Sequence, residues 1–293
     1  MPGLKLNGAS AIVTGAGSGI NLAFAKTLVE KGCNVLIADI GLRPEAQALI
    51  DSVNTQKSGA KVVFQRTDVT DWAQLEETFD RVEKEFETVP DLLILPEFQQ
   101  PGTGFWGDKD SGSRYKVIDV NLIHPMKMTR IAIRRMLRAK KTGVILHVAS
   151  VAAETLSVIT PLYQASKHGI GSFVMGMSGL EGLCGIRVLG VAPGSIKTPL
   201  LLEDPKVSKW IDPTKDKLLD PSVIAQALLA LAENVNDKYP PGTLLEVTEE
   251  SEELWRSIPL YNNPGPPRLN LASNKDSALT TIKQMLEEEK GER

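Results

Sequence analysis

Two side chains four residues apart could move a proton. Tyr163 and Lys167 stand at i and i+4 in PLYQASKHGI, so on a helix they share one face about one turn apart. An ammonium so placed favours the phenolate and draws a tyrosine pKa down from about 10 toward neutrality, which makes the phenol a usable acid or base. Thirteen residues before the tyrosine, Ser150 ends the apolar run GVILHVAS, which reads as a buried strand. A hydroxyl at a strand's C-terminal end opens into the crevice where open α/β sheets hold ligands. Tyr-x-x-x-Lys alone is common on ordinary surface helices, so the surrounding elements decide.

Those elements begin near the N-terminus. Residues 9–14, ASAIVT, form a short apolar strand, followed by Gly15-Ala16-Gly17-Ser18-Gly19-Ile20-Asn21 and the helical pattern NLAFAKTLVEKG, with Gly32 as its C-cap. Strand, glycine-rich turn and helix give the context of a dinucleotide site. Glycines let the backbone approach a pyrophosphate, and the helix N-terminus offers unpaired N–H groups. The second strand, NVLIAD, ends on Asp39, where a carboxylate can accept from adenosine ribose hydroxyls and repel a 2′-phosphate. NAD is therefore favoured over NADP, which Arg43 keeps open; a strand-end aspartate can also simply cap a turn. The strand KVVFQRTD runs into Asp68-Val69-Thr70, which alone reads as a helix N-cap ahead of DWAQLEETFDRVEKEF. The strand DLLILP follows, then a glycine-rich loop with Phe105 and Trp106 exposed or lining a pocket. Residues 114–138 read as one long helix that Pro125 should kink or interrupt. The helix HGIGSFVMGMSGLEGLC, the strand IRVLGVAPG, the helix PSVIAQALLALAEN and the strand GTLLEVT complete the pattern.

Composition bounds the rest. At 293 residues, 42% hydrophobic and 24% charged, the chain fits a soluble globular protein with one large α/β domain or two small ones. A net charge of −3 argues against nucleic acid and anionic membrane as partners. The N-terminus MPGLKLNGAS has no apolar signal core and no run reaches about 18 apolar residues, so a cytoplasmic protein is expected. Cys33 and Cys184 read as buried free thiols suited to a reducing compartment. His124, His147 and His168 lack ligand spacing, so no metal is expected.

Over residues 5–248 these motifs resemble the short-chain dehydrogenases/reductases: Thr14, Gly15, Gly19 and Ile20 match the T-G-x-x-x-G-I turn, and Ser150, Tyr163 and Lys167 stand in the family's order. The resemblance implies an α/β fold: a single doubly wound Rossmann domain over residues 1–248, with a seven-stranded parallel sheet and helices on both faces. It implies NAD held by Gly15, Ser18, Gly19 and Ile20, by Asp39 and Ile40 at the ribose, and by Asp68 and Val69 at the adenine. Pro193, Gly194, Ile196 and Thr198 would cup the nicotinamide. The implied reaction is hydride transfer between NAD(H) and a secondary alcohol or ketone. In it Tyr163 moves the hydroxyl proton, Lys167 lowers its pKa and holds the nicotinamide ribose, and Ser150 bonds the substrate oxygen. Asn121, within I-D-V-N-L, would break its helix and hold a relay water. Residues 198–220 would form the substrate lid, with Leu200, Leu201, Val207, Trp210 and Ile211 as an apolar wall. A homodimer or homotetramer is implied, through helix faces rich in small residues (Gly169, Gly171, Gly176, Gly179). The string I-D-V-N-L-x-H-P and the extended C-terminus are similar to a fungal group of 15-hydroxyprostaglandin dehydrogenase-like proteins.

Two departures motivate a second reading. Asn21 stands where the family has a third glycine, and Leu95-Pro96-Glu97-Phe98 replaces its Asn-Asn-Ala-Gly signature. A degenerate member that binds a ligand or partner, or steers a non-redox reaction, is the alternative. Residues 249–293 form a C-terminal extension: Trp255, Leu260 and Tyr261 should dock its first part, IPLYNNPGPPR is irregular, and KDSALTTIKQMLEEEKGER is an acidic, helical end. The extension is either a mobile tail or a cover for a partner's active site.

Overall fold

Short aliphatic runs bounded by Gly, Pro and Asp become strands, and the longer 3.6-period stretches between them become helices. A computed structural model describes residues 3–56, 59–95, 103–109, 112, 114–203, 211–212, 214–259 and 275–291. Its strands are β1 (Ser10–Thr14), β2 (Asn34–Asp39), β3 (Val62–Arg66), β4 (Leu92–Leu95), β5 (Gly143–Val148), β6 (Ile186–Pro193), β7 (Leu244–Val247) and β8 (Arg256–Ser257). The principal helices are α1 (Gly19–Glu30), α2 (Pro44–Gln56) and α3 (Trp72–Phe86). After the short α4 (Thr103–Trp106) and α5 (Lys116–Ile118) come α6 (His124–Arg138), α7 (Pro161–Gly176), α8 (Leu180–Cys184), α9 (Pro199–Glu203), α10 (Pro221–Glu233) and α11 (Lys275–Gly291).

The sheet order is β3-β2-β1-β4-β5-β6-β7-β8. The first seven strands pair in parallel, as expected, and the C-terminal extension adds β8 as a two-residue antiparallel edge. Side chains alternate between two buried faces. Ala11 and Val13 pack in the cluster that holds Phe24 and Leu28 of α1 and Leu228 of α10, whereas Ile12 joins Phe79 of α3 and Ile131 of α6. Burial on both faces explains the near-continuous apolar strands; each fully buried Leu or Ile contributes about 1.5–3 kcal/mol. Strand order reverses between β1 and β4, where the Thr14 hydroxyl donates to the Ile94 carbonyl at 3.0 Å. Open sheets hold their ligands at such a switch point.

The helix expected over 114–138 is interrupted. After α5 the chain makes a π turn over Asp119–Ile123, and α6 starts at His124 with Pro125 in its first turn. Proline has no N–H, so Pro125 cannot give the Asn121 carbonyl its ordinary α-helical partner four residues on, and the chain widens there instead.

The acidic end of the extension, α11, packs on the chain's own α6. Leu286 of α11 is buried in the cluster that holds Ile131 and Met136 of α6, and Arg130 Nη1 donates to Glu289 at 3.1 Å. The first part of the extension docks too, as Trp255 packs against the cluster that holds Leu245 and Val247, and Ile258 is buried with Ala149 and Ile170. Leu260 and Tyr261 lie outside the described residues.

Candidate active site

A cavity of about 540 Å³ opens at the C-terminal edge of the sheet. The β1–α1 turn contributes Gly15, Ser18, Gly19 and Ile20 to its wall. The ends of β2 and β3 contribute Asp39, Ile40, Asp68 and Val69, and the opposite side contributes Ser150, Tyr163, Gly194, Ile196 and Thr198. Pro193, Lys167 and Asn121 stand behind this wall and reach it through bonded neighbours.

The glycine-rich turn needs its glycines for two reasons. Gly15 and Gly19 have φ of +66° and +63°, the left-handed region that a side chain disfavours. At Gly17 a Cβ would fall 2.2 Å from the Gly41 carbonyl oxygen. The α1 N-cap, Ser18, makes no side-chain cap, and no acidic residue occupies the first turn, so the N–H groups there suit a pyrophosphate. Asn21 replaces close helix–strand packing with a bond: its amide nitrogen donates to the Thr14 carbonyl at 2.7 Å. Its Oδ1 is buried without a partner among the described residues, an acceptor on a residue that lines the cavity. These features fit a bound dinucleotide.

At the end of β2, Asp39 accepts from the N–H of Gly17 at 2.8 Å and of Gly41 at 3.3 Å. Turn capping and cavity lining therefore coexist in one carboxylate. Arg43 Nη2 bonds both carboxylate oxygens of Glu203 on α9, at 2.8 and 2.7 Å. Asp68 accepts from the Thr70 N–H and hydroxyl at 2.9 and 2.7 Å, which hold its carboxyl below the usual range. The N-cap of α3 is Asp71, which accepts from Ala73 N–H at 2.9 Å, so Asp68 caps a turn and not the helix.

At the opposite end the polar groups are buried and interlinked. Lys167 Nζ donates to the Val148 carbonyl at 3.0 Å and lies 5.6 Å from the Tyr163 ring centroid. The Asn121 amide donates to Ser166 Oγ at 3.2 Å, which donates to the Tyr163 carbonyl at 2.7 Å. Ser150 Oγ accepts from Ala152 N–H at 3.2 Å and donates to the Pro193 carbonyl at 3.4 Å. The π turn, β5, α7 and the end of β6 thus converge on one corner. Behind it lie His124, pushed down to about 4 by burial, and His147, pushed down to about 3 by burial and by the nearby His124 and Lys167. The His147 ring meets Thr129 Oγ1 at 3.2 Å.

The match to a family model settles the relationship: the short chain dehydrogenase model covers residues 9–207. The chain belongs to the short-chain dehydrogenase family. Bovine 15-hydroxyprostaglandin dehydrogenase [NAD(+)] is 29% identical over 84% of this chain and 92% of its own length. The cis-4-hydroxycyclohexanecarboxylate dehydrogenase of Sinomonas cyclohexanicum is 30% identical over 81% of this chain and 94% of its own length. The crystal structure of gox2181 superposes with a TM-score of 0.68 at 26% identity, covering 83% of this chain and 96% of that one. As a member, the protein is an oxidoreductase acting on CH–OH groups, moving hydride between a secondary alcohol or ketone and a nicotinamide dinucleotide. No observation favours the degenerate alternative. Of the altered fourth-strand segment, Leu95 is buried at the end of β4, and Pro96, Glu97 and Phe98 lie outside the described residues.

Some features of this dehydrogenase were missed in the sequence. Gln164, next to the tyrosine, places its side-chain amide 2.6 Å from the carbonyls of both Ala152 and Thr155, and with the nitrogen assigned to that side it donates to both and ties down the loop after β5. Glu203 as the partner of Arg43 had no local signal. Phe105 and Trp106 are exposed, and Trp106 Nε1 donates to the Val158 carbonyl at 2.8 Å. Of the expected lid wall, Leu200, Leu201 and Ile211 line the cavity, and Val207 and Trp210 lie outside the described residues. Gly169 and Gly171 serve the chain's own packing, since added Cβ atoms would meet Leu122 at 2.9 Å and Leu244 at 3.2 Å. Among the described residues no three His, Cys, Asp or Glu gather as a metal site, and no helix is long and apolar enough to cross a membrane.

Proposed function

We propose that this dehydrogenase uses NAD(H), with Tyr163 as the acid/base and Lys167, Ser150 and Asn121 as its supporting groups. The observation that carries the reading is the shared wall: Tyr163 and Ser150 line the same cavity as the glycine-rich turn, with the Lys167 ammonium buried beside the phenol. NAD supplies the hydride acceptor, and NADH the donor, when bound. In the oxidising direction the substrate hydroxyl gives its proton to the Tyr163 phenolate as the carbinol carbon gives up hydride. The buried ammonium of Lys167 stabilises that phenolate and faces the nicotinamide ribose. Ser150 Oγ holds the substrate oxygen against Tyr163. Asn121 aligns α7 through Ser166 and gives Lys167 a proton path through water.

Gly15, Ser18, Gly19 and Ile20 hold the pyrophosphate, and Asp39 with Ile40 the adenosine ribose. Asp68 and Val69 border the adenine, and Pro193, Gly194, Ile196 and Thr198 border the nicotinamide. NAD over NADP is supported by Asp39 at the ribose position and by the engagement of Arg43 with Glu203, which competes with a 2′-phosphate. We read residues 1–248 as the catalytic domain, with residues 198–220 as its lid. The free thiols Cys33, which burial and Asp91 push up to about 12, and Cys184 support a reducing, cytoplasmic setting. The assembly is read as a homodimer or homotetramer, as the family resemblance implies.

The test is titration with NADH and with NADPH, followed by turnover of Tyr163→Phe on a panel of secondary alcohols. At least tenfold tighter NADH binding is expected, with loss of more than 10³-fold in turnover and nearly unchanged NADH affinity in the variant. Retention of a tenth of the activity would remove Tyr163 from its role, and equal affinity for the two cofactors would remove Asp39 from its own.

A further inference from the structure

The Val120 carbonyl sits where two helical registers both fail it. In an α-helix it would take the N–H of His124, four residues on, and in a π-helix that of Pro125, five residues on. The His124 N–H goes to the Asp119 carbonyl instead, and Pro125 has no N–H to give. A side chain stands in for both: Nδ1 of the His124 ring lies 3.3 Å from the Val120 carbonyl. Because a carbonyl only accepts, Nδ1 carries the ring proton, which leaves Nε2 bare in the neutral ring. Two observations agree with that form. Burial pushes the ring down to about 4, so it is neutral near pH 7, and Nε2 is buried with no partner among the described residues.

The ring contact alone is ordinary, since His168 Nδ1 meets the Gln164 carbonyl at 3.0 Å inside the unbroken α7. The missing N–H is what gives the contact at His124 its task. The peptide that it holds joins Val120, which lines the active-site cavity, to Asn121, whose amide reaches Ser166 and through it the Tyr163 carbonyl.

We propose that His124 is a positioning residue for hydride transfer: its Nδ1–H replaces the donor that Pro125 lacks and fixes the peptide from which Asn121 projects. The proposal rests on the role given to Asn121 above. An amide at this position imitates one ring nitrogen or the other, because asparagine puts its nitrogen near the place of Nδ1 and glutamine near that of Nε2. If only the volume of the buried ring counted, glutamine would be the better replacement; if the Nδ1 donor counts, asparagine is.

The experiment follows NAD reduction by the full chain with the fastest of cyclohexanol, 2-octanol and 1-phenylethanol. His124→Gln and His124→Leu are expected to lower kcat about tenfold, the effect of a buried carbonyl left without its donor, with NADH affinity within twofold. His124→Asn should stay within about threefold of wild type. Pro125→Ala supplies an N–H five residues after Val120, so in that background His124→Leu should cost less than about threefold. Glutamine matching or exceeding asparagine, or an equal loss from His124→Leu in both backgrounds, overturns the proposal. A second readout needs no turnover. The chain has three histidines, and nitrogen NMR of the rings near pH 7 should show His124 protonated at Nδ1, a signal that His124→Asn removes. Protonation at Nε2 overturns the contact itself. Should Asn121→Ala keep full activity, or no alcohol be oxidised, the reading of the active site is what fails, and the ring spectrum then judges His124.

Discussion

The two ends of the cavity rest on different physics. At the end proposed for the reaction, Asn121, Ser150, Tyr163, Ser166 and Lys167 are all buried and bonded to one another or to backbone carbonyls at strand ends. At the end proposed for the adenosine, Asp39 and Asp68 remain partly exposed and bond, among the described residues, to donors of nearby turns. A charge acts several times more strongly in a low-dielectric interior than at the rim. Proton transfer needs that strength and a fixed orientation, whereas selecting a ribose hydroxyl over a phosphate needs only a solvated carboxylate in the right place. Turnover and cofactor choice should therefore be separable by substitution.

The largest effect is expected from Lys167→Met. Removing the buried ammonium should lower kcat/KM at least 10³-fold, about 4 kcal/mol, while NADH affinity moves less than tenfold in a calorimetric titration. A loss under tenfold would break the contrast at its stronger end. Asp39→Ala comes next: the NADH over NADPH preference should fall about 10- to 100-fold, one or two times 1.4 kcal/mol, with kcat within threefold. An equal fall in kcat would show that the two ends act as one.

The third expectation concerns acid. His124 and His147 are held at about 4 and about 3, below the ordinary 6.5, so the unfolded chain takes up protons first as pH falls. Their contribution is complete above pH 6.5 and declines by about 1.4 kcal/mol per pH unit per histidine toward those lower values. Urea midpoints at pH 7, 6 and 5 read the slope, and His147→Gln should remove about half of it. Asp68, whose carboxyl is lowered by the Thr70 donors, contributes stability above its unfolded value near 3.8, and this is lost only as pH falls further. The reaction end should thus fail first in acid. The smallest effect is Glu203→Ala, which frees Arg43 and should tighten NADPH about threefold, as befits an exposed ion pair.

The sequence made legible what is written locally. Aliphatic runs marked seven strands, Gly15 and Gly19 marked a glycine-rich turn that the structure builds with left-handed backbone, and the four-residue step from Tyr163 to Lys167 put both on one helix face. Interactions between distant segments were not legible. Arg130 and Glu289 meet across 159 positions, Arg43 and Glu203 across 160, and Trp106 reaches Val158 across 52. Pro125 announced a break near residue 125, but its form depended on how α6 packs against the sheet. Asn21 looked like a loss of close packing, and only the structure gives it a bond to Thr14.

The π turn over Asp119–Ile123 has one more consequence. Such a turn is a helix with a surplus residue, and each residue advances a helix by about 100°. The surplus acts as a phase adjuster: sheet contacts set the bearing of Met128, Ile131 and Met136, and the extra residue sets that of Asn121 independently. Deleting one residue there would turn Asn121 by about 100° relative to α6 and part it from Ser166, while Pro125 would still lack the N–H that a regular helix needs.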